Sequence, residues 1–314
     1  MPKCEICPHE CEIVNGTEAI CKGRKLNEKG EIVPSFYGQL SVASVEPIEK
    51  KPFYHYRPGT KVLSIGSWGC NLKCTYCENF FISQEFDTPD VKSYSPVEIV
   101  RMAIENECQG VCMSFNEPSI QYEYLMKLAK CTRESGLYFA VKTNGYVNYI
   151  HWGSLCEAVD AVNIDWKPEN VAGVPKYTDH IRTCIKLAIE ENYGVHVEIS
   201  VPIISEDPVV YEHIAAYFKP TIKNRVPIHL LPVTPCHKNF EPRPRDFYVK
   251  FIRDFVFRDS FYVYADLPDY PQMSDTLCPQ CHNVLVERRA FSSLIMPTEK
   301  DKGCCSSSRQ SMTL

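Results

Sequence analysis

Residues 61–79 read Lys61-Val62-Leu63-Ser64-Ile65-Gly66-Ser67-Trp68-Gly69-Cys70-Asn71-Leu72-Lys73-Cys74-Thr75-Tyr76-Cys77-Glu78-Asn79. The first six residues are a short apolar run suited to a buried strand. Three cysteines follow within eight residues, spaced C-x3-C-x2-C, on the loop that leaves this strand. A structural zinc or iron–sulfur site closes with four ligands. Three thiolates on one tight loop leave a coordination position open, and an open iron of a 4Fe–4S cluster can chelate a substrate there. The alternative is a zinc loop whose fourth ligand is distant in sequence.

Working outward, the same strand-then-helix alternation recurs. Ser95-Pro96-Val97-Glu98 carries a helix start, with Ser as N-cap, Pro in the first turn and Glu three residues on. Strands are expected over 110–115, 137–142, 158–164, 195–201 and 226–231, and a further one over 261–265. Helices are expected over 120–135, near 147–156, 179–192, 208–218 and 245–259. Six βα units in series imply a parallel sheet buried on both faces, either doubly wound or a partial or full barrel. The expected organisation is a Cys-rich N-terminal lobe over 1–55 and an α/β core over 56–267. An extension carrying a C-x2-C pair follows over 268–296, and a polar, Ser-rich tail expected to be disordered ends the chain over 297–314.

Hydrophobic content of 44% and charged content of 23% in 314 residues are ordinary for a globular chain. No apolar run approaches the length of a membrane span, and residues 1–5 carry no apolar signal core, so a cytoplasmic protein is expected. A net charge of −5 does not advertise binding to nucleic acid. The unusual feature is seventeen cysteines. In a reducing compartment, clustered cysteines bind metal or do redox chemistry rather than form a disulfide framework. Cys108, Cys112, Cys131, Cys156 and Cys184 sit singly in apolar patterns and read as small buried hydrophobes.

The triad, with Tyr76 before its last cysteine, resembles the signature of radical S-adenosylmethionine (SAM) enzymes. In that family the open iron binds the amino and carboxylate groups of SAM, and one electron from the cluster yields a 5′-deoxyadenosyl radical. Cys77-Glu78-Asn79 resembles the branch that activates glycyl-radical enzymes. Ser114-Phe115-Asn116-Glu117-Pro118 falls where the family carries a Gly-Gly-Glu-Pro segment against the SAM amino group, with Phe115 and Asn116 in place of both glycines. Thr143-Asn144-Gly145 resembles the T-N-G, and Asp165-Trp166-Lys167 the D-x-K, of activating enzymes. An aspartate for the ammonium and a lysine for the carboxylate suit an amino-acid zwitterion. Leu230-Leu231-Pro232-Val233-Thr234 resembles the L-L-P-Y-H of pyruvate formate-lyase activating enzymes, with Thr234 at the histidine position and His229 and His237 nearby. Every match lies at the C-terminal end of an expected strand, where parallel α/β folds place their sites.

Cys4-x2-Cys7-Pro8-His9-x-Cys11, Cys21, Glu198-Ile199-Ser200 and Cys278-Pro279-x-Cys281 extend the resemblance to the AmmeMemoRadiSam-system radical SAM enzymes. The resemblance implies an α/β fold with a partial (β/α)6 TIM-like barrel. It implies a cluster on Cys70, Cys74 and Cys77, with SAM contacts from Tyr76, Asn116, Glu117, Asn144, Asp165, Lys167 and Ser200. A flavodoxin or ferredoxin-type donor supplies the electron, and the substrate is a protein, a peptide or a small molecule. Cys4, Cys7, Cys11 and Cys21 put four soft ligands into eighteen residues, a density suited to zinc or an auxiliary iron–sulfur cluster. Cys278 and Cys281 form a knuckle that could join Cys4 and Cys7 in space. Rivals from other classes are a zinc-stapled binding module, with RNA as one candidate ligand and the basic runs 243–245 and 287–289 as its only support, and an electron-transfer iron–sulfur protein.

Overall fold

The computed structural model describes the chain except for residues 15–16, 88–90, 169–171, 192, 222–225, 240, 259, 261, 290–291 and 296–314. The Ser-rich tail, with Cys304 and Cys305, lies outside the described residues.

The N-terminal forty residues hold little regular structure: an antiparallel pair of β1 (Arg24–Leu26) and β2 (Ile32–Pro34), and loops crossing around the first four cysteines. β3 (Val42–Pro47) then pairs antiparallel with β4 (Lys61–Gly66). From β4 the sheet is parallel and runs in chain order through β5 (Gly110–Met113), β6 (Tyr138–Thr143), β7 (Ala161–Asp165), β8 (His196–Ile203), β9 (Ile228–Pro232) and the short β10 (Val263–Tyr264). The first helical turn, α1 (Phe80–Ser83), follows the cysteine triad. The longer connections carry α2 (Pro96–Glu105), α3 (Tyr122–Glu134), α4 (Tyr149–Ala158), α5 (Tyr177–Glu190), α6 (Val209–Thr221) and α7 (Asp246–Phe251). The start of α2 follows its expected chemistry. Ser95 Oγ accepts from Glu98 N at 3.3 Å and Glu98 Oε2 accepts from Ser95 N at 2.8 Å, with Pro96 at the first helical position.

Right-handed crossovers between neighbours in sequence order put the helices on one face, so the sheet curls around its other face as a partial barrel. The β-period of two sorts side chains accordingly. Leu63, Ile65, Val111, Met113, Phe139, Val141, Val162, Ile164, Ile199 and Val201 join the main core against the helices. Ser64, Cys112, Lys142, Asn163, Glu198, Ser200 and His229 alternate with them on the inner face. β10 and β3 are the two ends of the sheet order, and among the described residues they do not pair.

Two features depart from the sequence expectation. Residues 42–55, assigned there to the Cys-rich lobe, belong to the barrel: β3 closes one sheet edge and 48–56 plugs the floor. Ile48, Phe53 and Tyr56 pack against Val62, Cys112, Ala140 and Ala161. The inner face is also polar at its centre, unlike the uninterrupted apolar strands expected of a fully buried sheet. The buried Glu198 carboxylate accepts the Tyr54, His55 and Tyr56 amides at 2.8–3.2 Å, His196 Nε2 at 2.9 Å and His229 Nε2 at 2.6 Å. Asn163 Nδ2 donates to Pro52 O at 2.7 Å. The plug is thus tied to the sheet through backbone groups that would otherwise be buried unpaired.

The C-terminal extension is a three-stranded antiparallel sheet, β11 (Thr276–Leu277), β12 (Val284–Arg289) and β13 (Ser292–Ile295). Arg288, buried from β12, lies over the Tyr54 ring at 4.2 Å and donates to Ser274 O and Thr276 Oγ1. Among the described residues no helix is long and apolar enough to cross a membrane.

Candidate functional site

At the C-terminal ends of the strands a cavity of about 540 Å³ opens. Cys70, Cys74 and Cys77 line it from the loop after β4. Asn116 and Glu117 enter from β5, Asn144 from β6, Asp165 and Lys167 from β7, and His229 through Pro232 from β9.

The triad loop is held by groups from α1 and from the ends of β5 and β6. Gly69 N donates to Ile82 O at 2.8 Å, and Asn116 accepts from Ser67 N and donates to Gly69 O, both at 2.9 Å. Gln84 Nε2 donates to Cys74 O at 3.0 Å. Gly69 sits at φ +89°, and a Cβ there would collide with the Cys21 carbonyl oxygen, so only glycine fits. The thiols meet other donors: Asn144 Nδ2 reaches Cys70 Sγ at 3.7 Å, and Ser83 Oγ lies 3.1 Å from Cys77 Sγ. Burial pushes the Cys70 thiol well up and Cys74 up to about 11, with the neighbouring thiols adding to it. A bound cation would replace those protons. Soft thiols on a loop facing an open polar cavity fit an iron–sulfur cluster in their donor chemistry.

Glu117 is buried and committed. Its carboxylate accepts from Ser119 N at 3.0 Å, Thr143 Oγ1 at 2.8 Å and Asn144 N at 2.8 Å. It therefore welds the ends of β5 and β6, and burial raises its pKa against those donors. Phe115 adopts φ +72°, a backbone conformation that glycine takes freely and a bulky residue rarely does. The glycine-like path is thus kept without the glycine, and the Phe115 ring receives Lys51 Nζ at 4.2 Å.

Asp165 accepts from Lys167 Nζ at 2.8 Å and from Lys142 Nζ at 3.3 Å. Burial resists its charge, yet the two lysines hold its pKa at about 2. Burial also opposes the Lys167 charge, but Asp165 together with Tyr76, Cys74 and Tyr177 holds its pKa well up, whereas Lys142 is lowered by burial despite Asp165. Ser200 lies one step behind. Its Oγ accepts from Lys142 at 3.0 Å and donates to Asn163 Oδ1 at 2.7 Å, so Ser200 orients Lys142 and does not line the cavity. Tyr76 lines the cavity with its hydroxyl buried and unpartnered. Of the two histidines near Thr234, His229 lines the cavity, whereas His237 stacks on Phe80 and Thr234 is exposed.

Lys142 is not among the site residues expected from the sequence, where Glu198 enters only through the resemblance and His229 only as a neighbour of Thr234; their bond to each other is visible in the structure alone. Lys142 carried a signal, being a lysine inside an otherwise apolar strand.

Cys4, Cys7, Cys11 and Cys21 line a second, small cavity with His9, Arg24, Asn71 and Ile120. Cys278 and Cys281 lie in a separate apolar cluster with Leu285 and Val286, because β12 holds that knuckle on the extension's own sheet. Among the described residues they pack in a different cluster from Cys4 and Cys21. Among the described residues no three His, Cys, Asp or Glu side chains enclose an ion as they stand. The basic runs are neutralised internally: Arg243 pairs with Asp246, Arg245 with Glu206 and Arg289 with Asp275. The RNA reading loses its support there.

The Radical SAM superfamily model matches residues 65–167, from the end of β4 through the Asp165–Lys167 pair. A Methanocaldococcus jannaschii protein of uncharacterised function, MJ0808, is 30% identical over 315 residues, covering 96% of this chain and 92% of that one. The chain belongs to the radical SAM superfamily. The pyruvate formate-lyase-activating enzyme of Clostridium pasteurianum is 26% identical over 175 residues, 52% of this chain and 71% of the relative. Among solved structures, a radical SAM methyltransferase from Sphaerobacter thermophilus superposes with a TM-score of 0.54 at 14% identity, over 77% of this chain and 71% of that one. Streptococcus suis SuiB bound to its precursor peptide SuiA superposes at 0.50 and 12% identity over 69% of this chain. The chain spans about half of SuiB, 51%. Membership implies a 4Fe–4S cluster and SAM. The α/β fold with its mainly parallel sheet agrees with the partial barrel expected from the sequence.

Proposed function

We propose that this protein reductively cleaves SAM at a 4Fe–4S cluster held by Cys70, Cys74 and Cys77, and turns the radical on a protein or peptide. The observation that carries this is the convergence of the three thiols with Asp165, Lys142 and Lys167 on one cavity at the strand ends. When bound, the cluster supplies one electron and an open coordination position, and SAM cleaved there yields the 5′-deoxyadenosyl radical.

The chain's own residues do the rest. Asp165, ionised at any physiological pH, receives the SAM ammonium, and Lys167 turns from Asp165 to its carboxylate. Lys142 keeps Asp165 charged and in place, with Ser200 behind it. Asn144 donates toward Cys70 and favours its thiolate over its thiol. Asn116 and Glu117 hold the triad loop and the β5–β6 ends in register. Tyr76, with a free hydroxyl, faces the cavity beside the cluster ligands. Cavity walls of Leu72, Leu230, Leu231 and Val233 exclude water from the reacting centre. A flavodoxin or ferredoxin-type protein delivers the electron.

A protein substrate is supported by the activating enzyme among the relatives, which by its name acts on another enzyme. A small-molecule substrate is favoured by one observation: the cavity continues past the triad to Glu46 on β3 and to Glu49, Lys51 and Tyr54 on the plug, a polar end suited to a compact ligand.

Electron paramagnetic resonance of the anaerobically reconstituted, dithionite-reduced protein tests the site. A cluster signal that shifts on adding SAM, and is lost with its iron in Cys77→Ala, is expected. A full cluster whose signal ignores SAM would overturn the reading.

A further inference from the structure

Cys4, Cys7 and Cys21 are buried and Cys11 half-buried, all as free thiols, around a cavity of about 10 Å³. That is room for a single atom-sized guest, far short of a four-iron cluster. The chain approaches it from two sides. Cys4 N donates to Cys11 O at 2.9 Å and Glu10 N to Cys7 O at 3.1 Å, which folds the first three cysteines into one turn. On the other side a tight turn at Lys22, φ +56°, lets Gly23 N donate to Cys21 Sγ at 3.4 Å. An amide donating to sulfur stabilises a thiolate. The neighbouring cation is already used: Arg24 makes bonds of 2.6 and 2.7 Å to Glu123.

The lobe has a small core of its own. Besides the cysteines, its apolar cluster is Ile6, Ile13 and Ala19 with Ile120 from the barrel and Leu26, Ile32 and Tyr122 packed against it, and among the described residues β1 and β2 are three residues each. A segment of forty residues with so small a core of its own is where a metal staple adds most.

We propose that Cys4, Cys7, Cys11 and Cys21 hold one tetrahedral zinc ion that staples the N-terminal lobe and fixes the loop carrying the catalytic triad. Four thiolates at this spacing are the donor set of structural zinc. The link to the triad is direct. Cys21 O accepts Cys70 N at 3.2 Å, and Gly69 is a glycine because the Cys21 carbonyl passes over it. Asn71, which lines the small cavity, accepts His9 Nε2 at its carbonyl at 2.8 Å and Asn144 Nδ2 at its Oδ1 at 2.8 Å. Asn144 in turn reaches Cys70 Sγ. A zinc ion on Cys21 therefore sets the position of the Cys70 amide, the backbone of a cluster ligand itself.

The test is elemental analysis with zinc-edge X-ray absorption on the full chain, purified without chelator from zinc-supplemented culture. About one zinc per chain is expected, with about four sulfur neighbours at about 2.3 Å. Cys11→Ser and Cys21→Ser should lose the zinc, while Cys77→Ala should lose iron and keep it. The Cys77→Ala arm separates this proposal from the radical chemistry: zinc without iron leaves the staple standing even if the catalytic reading fails. The wild-type absorption spectrum does not depend on whether a variant folds. Zinc below about a tenth of an equivalent, nitrogen or oxygen neighbours, zinc retained in Cys21→Ser, or iron in the four-sulfur site would each overturn the proposal.

Discussion

Lys142 shows how one side chain changes the reading of its neighbours. A D-x-K pair alone is a salt bridge between two residues of one loop, and such a pair is worth little on a surface. With Lys142 at 3.3 Å from the same carboxylate, Asp165 stays ionised when Lys167 turns away to a ligand. Asp165→Asn is expected to weaken SAM binding about 10- to 100-fold, the loss of one charge-assisted bond, read by equilibrium dialysis on the reconstituted protein. Lys142→Met should weaken it less and Ser200→Ala least, since each acts through another group. An Asp165→Asn protein that binds SAM as wild type would remove the residue from the site. Phe115 gives a second expectation. Its left-handed backbone costs about 1–3 kcal/mol, offset in part by the Lys51 contact, so Phe115→Gly should leave thermal stability within a few degrees of wild type. A Tm lowered by more than about 10 °C would mean that the ring does more than cover the strand end.

At the scale of elements, the parallel strands and the helix after Ser95 were legible because they are local: apolar runs, a capping box and punctuating turns. Ser95→Ala removes that cap and should cost about 1 kcal/mol in denaturant unfolding, with m unchanged. The β3 edge strand and the 48–56 plug were not legible. β3 pairs with β4 close by in sequence, but the partners of the plug are Glu198, Asn163 and the inner face of the sheet, more than a hundred residues away for the first two, and no short-range pattern encodes a backbone segment folding back beneath a barrel. The polar inner face is hidden for a related reason: Lys142 stands out only as a lysine in an apolar strand and Glu198 only through the resemblance, until the plug and cavity give them partners. The cysteine loop was legible as a motif, yet its support was not. Gly69→Ala should disturb the Cys21 carbonyl and the Cys70 amide together, destabilising the protein by about 1–3 kcal/mol and lowering iron content per chain. Unchanged iron in that variant would separate the lobe from the loop.

Over the whole molecule, the barrel floor carries a buried charge system that makes stability acid-sensitive. Burial lowers the pKa of His55 to about 3 and lowers that of His229, while the His196 and His229 hydrogen bonds hold Glu198 well below the carboxylate range against its burial. All three groups bind fewer protons folded than unfolded, so stability rises with pH across their range. The histidine part is present above about pH 6.5 and is lost as pH falls toward 3, and the Glu198 part follows below about 4.5. Tm should therefore fall steadily from pH 7.5 to 5, and His55→Gln should flatten that slope whatever it does to the absolute value. A wild-type Tm independent of pH over that range would contradict the neutral-histidine floor. This floor, the plug and the Arg288 clasp close one end of the barrel and leave the triad end open, which is what a SAM-cleaving site requires. The most direct measurement is the yield of 5′-deoxyadenosine from SAM and dithionite under strict anaerobiosis, with the cluster reconstituted and iron counted. The account predicts product from the wild type and none from Cys77→Ala. A wild-type protein with a full complement of cluster iron that forms no 5′-deoxyadenosine would contradict it.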